Sequence, residues 1–190
     1  MQTSNWNFLK NFISDIVSDA DVDTGNTRIA LSFFNHMVYD KFFLNTYSTK
    51  ADILRRIATI ASPVLGGTDI ALAIRMMVYN TFTEAHGDRD NAPDLAIIIT
   101  DGRSNNNAAT VSNATRAKGM GIHMIAVGVG FTDTSGLNQI ASEPVSENVF
   151  TVNEYSELLS IESLIAGIFY ENCTGTFVSS YYTIYLFTYY

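Results

Sequence analysis

Leu95–Thr100 reads Leu-Ala-Ile-Ile-Ile-Thr, an apolar run with no alternation. A strand with one wet face alternates polar and apolar residues. A run without alternation is covered on both faces, as in a parallel sheet sandwiched between helices. It ends abruptly in Asp101-Gly102, a polar turn. His123–Val127 is a second run of this kind and Val149–Val152 a shorter third.

Helical spacing fills the intervals between strands. Leu9, Phe12, Ile13 and Ile16 recur at i, i+3, i+4, i+7 and mark an opening helix. Arg28–Phe34 and Met37–Leu44 read as two strands joined by a tight Asn35-His36 turn, hence antiparallel. Ser48 or Thr49 caps a helix carrying Ile53, Ile57, Ile60 and Ala61, which Pro63 ends. A Gly66-Gly67 loop leads into a helix beginning at Thr68 or Asp69, with Ile70, Ala73, Ile74, Met77 and Val78 inward. Asn107–Lys118 is a weaker helix, Leu137, Ile140 and Ala141 mark a short one, and about Ser156 to Asn172 a longer one. This order predicts a Rossmann-like, doubly wound α/β fold: a mostly parallel sheet, helices on both faces, one antiparallel edge strand. In such sheets ligands bind at the C-terminal strand ends. The Gly67-Thr68-Asp69 loop and the Asp101–Ser104 loop are the polar candidates there.

The charge balance narrows the partners. Eleven Lys plus Arg against 19 Asp plus Glu give a net charge of −8. An acidic chain without a basic run excludes nucleic acid as a main partner. No apolar run reaches membrane-span length, so no membrane insertion is expected. Met1–Phe12 lacks the basic and apolar blocks of a signal peptide. The one cysteine, Cys173, has no partner for an internal disulfide. Asn113-Ala-Thr115 and Asn172-Cys-Thr174 are glycosylation triplets that matter only in a secreted chain.

Together, TRIALSFFNHMVYDKFFLNTYSTKADIL, GGTDIALAI, FTEAHGDRDNAPDLAIIITDGRSNN, AKGMGIHMIAVGVG, LNQIASEP and ENVFTV resemble the von Willebrand factor type A domain. The likeness is to the matrix versions found in matrilins and the collagen VI type. It covers about Asn5 to Cys173, making residues 1–173 the domain and 174–190 a tail foreign to it. The resemblance implies a secreted, non-enzymatic module that binds extracellular-matrix or cell-surface proteins, collagen-like or carrying the same domain. It also implies a metal-ion-dependent adhesion site for Mg²⁺ or a similar divalent cation. In the family a D-x-S-x-S motif after the first strand supplies three ligands, and a Thr and an Asp complete the set. Those last two map onto Thr68 and Asp101, with Gly67, Asp69, Arg103 and Ser104 as the ligand-binding rim.

The pattern departs from the family at one place: no D-x-S-x-S occurs in the chain. The first central strand is expected to be missing with it, and the metal site to be degenerate. One carboxylate and one hydroxyl offset little of the cost of dehydrating Mg²⁺. In many family members a cysteine before the first strand pairs with one matching Cys173, which puts the two termini close together. The tail, uncharged and rich in tyrosine (Tyr181, Tyr182, Tyr185, Tyr189, Tyr190), therefore has two readings. It is an abnormal end, or Tyr181–Phe187 fills the empty slot as in a circular permutant.

Plainer roles stand beside these. Thr68 after glycine suits an N-cap, and Asp69 a first-turn charge favoured by the helix dipole. Asp101 also suits a simple turn. A metal-dependent α/β hydrolase using Asp101 is one alternative function, though no second carboxylate or nucleophile accompanies it at a strand end. A structural remnant that binds nothing is the other.

Overall fold

The computed structural model describes residues 3–61, 67–131, 133–171 and 182–189. The opening helix α1 (Thr3–Asp19) leads to β1 (Thr27–Phe34) and β2 (Val38–Phe42). Helices α2 (Lys50–Thr59) and α3 (Ile70–Met76) follow, the latter running into a π-turn over Met77–Thr81. Next come β3 (Asp94–Thr100), α4 (Asn107–Gly119), β4 (His123–Val129), α5 (Ser135–Ile140), α6 (Val145–Asn148) and β5 (Val149–Val152). The single long helix expected after β5 is divided: 3₁₀ turns over Tyr155–Ile161 precede α7 (Glu162–Glu171). The last element is β6 (Tyr182–Tyr189).

The six strands form one sheet in the order β2-β1-β6-β3-β4-β5. Only β2 is antiparallel, on the β1 edge. The other four pairs are parallel. The doubly wound α/β reading holds. The expected gap does not appear, because β6 lies between β1 and β3. It pairs with β1 from Thr27↔Tyr182 to Phe34↔Tyr189, and with β3 from Asp94↔Thr183 to Ile99↔Thr188. Two buried strands left unpaired would each leave a row of amides and carbonyls without partners. An uncharged segment of β-branched and aromatic residues meets that need, so the permutant-like placement describes the backbone. Cys173 and the stretch joining α7 to β6 lie outside the described residues, as do Pro63 and Gly66.

Each face of the sheet carries its own core. On one face α1 packs with Trp6, Leu9, Phe12, Ile13 and Ile16 buried against Ile29, Leu31, Phe33, Ile97 and Ile99. The Trp6 ring meets Phe33 edge-on at 5.4 Å between centroids. On the other face α3, α4 and α5 cover Ala30, Phe34, Ala96, Ile98, Met124 and Ala126. Successive residues of β3 belong to opposite cores, which is why Leu95–Thr100 shows no alternation. Thr49 caps α2 by accepting from the Asp52 amide.

Candidate functional site

Every parallel strand ends on the same side of the sheet, so the loops after β1, β3, β4 and β5 share one rim. Two backbone bonds tie the Thr68 loop into it. The Asp69 amide donates to the Asn35 carbonyl at 2.7 Å, and the Asn105 amide donates to the Thr68 carbonyl at 2.9 Å. Thr68 is thereby held between the β1–β2 turn and the β3–α4 loop that carries Asp101. Gly67 adopts φ +61, and a β-carbon there would touch His36 at 3.4 Å. The positive φ explains glycine at that position; the contact alone is an ordinary one.

The cap of α3 is Asp69, whose carboxylate accepts from the Leu72 amide at 2.8 Å. Thr68 therefore does not cap the helix. It is 6% exposed, and among the described residues nothing hydrogen-bonds its hydroxyl. The residue is buried as a whole, but its hydroxyl is not among the fully buried atoms left without a partner, so the oxygen stays within reach of water or a ligand.

Asp101 reaches the surface directly after β3. Its Oδ2 accepts a 2.8 Å hydrogen bond from the hydroxyl of Tyr155, a buried residue 54 positions away. The crowding of protein around the carboxyl raises its pKa above the ordinary aspartate value; the Tyr155 hydroxyl opposes that by stabilising the charged form. Tyr155 is the site residue that sequence reasoning missed. Its signal was its place just past the C-terminal end of the β5 run, on the same rim.

The remaining rim residues hold the loops together. Thr100 Oγ1 donates to the Gly102 carbonyl at 2.9 Å. Ser104 and Thr110 share a 2.7 Å hydroxyl–hydroxyl bond that fixes the loop to α4. Arg103 is exposed and bridges Asp133 after β4 at 2.9 Å. Asn113 lies within α4, and its Nδ2 donates to the Ala71 carbonyl of α3 at 2.8 Å. In the folded chain that nitrogen is spent on the contact between α4 and α3. Asn172 lies outside the described residues.

Thr68 and Asp101 fit a hard cation in kind, both offering oxygen ligands. They do not fit it in number. Among the described residues no three His, Cys, Asp or Glu gather into a metal-holding group. Mg²⁺ offered one carboxylate and one hydroxyl keeps most of its water.

Comparison with known proteins agrees with this geometry. The von Willebrand factor type A domain profile matches residues 1–164, stopping short of β6. Matrilin-1 of Bos taurus is 36% identical over 151 residues, covering 78% of this chain and 27% of that protein. Matrilin-3 of Mus musculus is 38% identical over 150 residues, covering 77% and 31%. The chain thus spans about a third or less of these relatives. The crystal structure of proximal thread matrix protein 1 from the mussel byssus superposes with a TM-score of 0.81 at 28% identity, over 87% of this chain and 42% of that one. A form of that protein with zinc in its adhesion motif superposes equally, at 27% identity over 87% and 43%. By sequence profile, by relatives and by fold, the chain belongs to the von Willebrand factor type A domain family.

Proposed function

We propose that this chain is a protein-binding module of the extracellular-matrix and adhesion class, and that it binds through the rim formed by the C-terminal strand ends. The observation that carries this reading is the locking of Thr68 beside the Asp101 loop, with its hydroxyl unspent on the helix cap and accessible at the rim. Matrilins as relatives, and a mussel matrix protein whose adhesion motif holds zinc, support a matrix setting and a secreted location. The metal site is degenerate: Thr68 and Asp101 hold Mg²⁺ or a similar ion weakly, and the loops supply most of the binding energy. Among the described residues no cluster of His, Cys, Asp or Glu supplies the further ligands that an intact site would add to Thr68 and Asp101.

Among the described residues the rim presents no paired acid and base and no activated nucleophile, so a binding role accounts for it better than hydrolysis. The test is solid-phase binding of the full chain to collagen and to other matrix proteins, in Mg²⁺ and in EDTA. Saturable binding that survives EDTA and falls on Arg103→Glu supports the reading. Turnover of a phosphate ester that Asp101→Asn abolishes would replace it with the hydrolase.

A further inference from the structure

Beside Asp101 the rim opens into a cleft of about 260 Å³ between the β3–α4 and β4–α5 segments. Its floor is apolar and belongs to the core: Ile70, Leu137 and Ile140 are each 2% exposed. Its wall carries the Ser104–Thr110 hydroxyl pair. A smaller hollow of about 170 Å³, lined by Asp101 itself, shares Gly102, Arg103, Phe131 and Asp133 with it. The two hollows therefore adjoin, and the smaller one reaches the candidate site.

Two side-chain pairs strap the mouth. Arg103 reaches Asp133 at 2.9 Å, and Asn107 Nδ2 donates to Gln139 Oε1 at 3.1 Å. Both span from the β3–α4 side to the β4–α5 side, and both are exposed. Exposed pairs of this kind contribute little to stability, so parting them costs little. Once parted they present a guanidinium, a carboxylate and two amides along the edges of an apolar trough. Those groups match the alternating N–H and C=O of an extended peptide.

We infer that this cleft is the specificity pocket of the binding face. It takes one large aliphatic or aromatic side chain from an extended segment of a protein partner, whose main chain is held by Arg103, Asn107 and Gln139. The inference rests on the reading of the rim as a protein-binding face and adds the class of residue read. The apolar anchor supplies the affinity that two metal ligands do not, because burial of an aliphatic side chain needs no ion.

The full chain, labelled with ¹⁵N, is titrated with Ac-Gly-Asp-Leu-Gly-NH₂, its Asp-Ala counterpart and its Asn-Leu counterpart, in Mg²⁺ and in EDTA. The leucine peptides are expected to shift the amides of Gly102, Ser104 and Leu137, and to bind about tenfold more tightly than the alanine peptide. Gly136→Leu provides the control. Gly136 lines the cleft, and a β-carbon there meets no atom within 4 Å, so the variant is expected to fold, which its melting curve checks, with the added side chain taking up cleft space. It is expected to erase the leucine preference.

Equal affinity for the leucine and alanine peptides, a preference that survives Gly136→Leu, or no binding by any peptide overturns the pocket. A Mg²⁺-dependent preference for Asp over Asn without a leucine preference overturns the pocket and leaves the adhesion face standing. A leucine preference unchanged in EDTA upholds the pocket and removes the ion from the reading.

Discussion

Tyr155 shows how one distant residue sets the state of another. Its hydroxyl is the single side-chain donor to Asp101 among the described residues, and its ring is buried in the α1-side core. Tyr155→Phe keeps the ring and removes the bond. It is expected to cost about 1 kcal/mol, the ordinary worth of a hydrogen bond, read from the urea midpoint. In the Asp101→Asn background the same change is expected to cost less, because the charge-assisted part is already gone. No local motif announces this pair, since the partners lie 54 residues apart, whereas Thr68 and Asp101 were legible as motif positions. Glu162 tests charge in the same manner. It opens α7, where the dipole favours an acid, yet its pKa is raised by the hydrogen bond its protonated carboxyl donates to the Asp19 carboxylate, then by burial and the nearby Asp19 and Asp15 charges. A raised carboxyl pKa means that the folded form holds its proton more tightly than the unfolded chain. That contribution is full below the ordinary glutamate range and is lost as pH rises through the folded value. Glu162→Gln is therefore expected to match the wild type in acid and to melt about 2 °C higher near pH 7. Equal melting at both pH values would show that the acidic contact is relaxed by solvent.

At the scale of elements the decisive piece is β6. A tail foreign to the domain tolerates proline; the central strand of a parallel sheet does not, because proline removes a ladder amide and its ring crowds the neighbouring strand. Leu186 is level with Leu31 on one side and Ile97 on the other. Leu186→Pro is expected to cost 3 kcal/mol or more, roughly the penalty for proline inside regular structure, and to flatten the cooperative urea transition. Independently, the amides of residues 183–188, like those of β3, are expected to exchange only through global unfolding. Fast exchange there with β3 protected would detach β6 from the sheet. Most of the fold was legible because it is written locally: apolar runs for β3 and β4, helical spacing for α1, α2 and α3, a threonine cap for α2. The place of β6 is not local. Its partners Thr27–Phe34 and Asp94–Ile99 lie far back in the chain. Composition showed that the segment favours a strand and not which slot it fills. The division after β5 was also hidden, since Leu158 and Ile161 suit a 3₁₀ turn as well as an α-helix over so short a stretch.

At the scale of the whole molecule, the question is whether an ion belongs to the folded state. A ligand that binds only the native form stabilises it by RT ln(1 + [L]/Kd). A micromolar site in 2 mM Mg²⁺ would therefore add about 4 kcal/mol, which in a domain of this size raises Tm by roughly 10 °C. Two oxygen ligands, one of them a neutral hydroxyl, leave the ion mostly hydrated. Against this stands the general attraction of an acidic chain for cations, its net charge being −8, but that attraction is screened by salt and is shared by Na⁺. Calorimetric melting in 2 mM Mg²⁺ against EDTA, at constant ionic strength, separates the two. The expected shift is under about 2 °C, the response to a dissociation constant in the millimolar range or weaker. A rise near 10 °C would mean that Thr68 and Asp101 are joined by further ligands and that the adhesion site is whole.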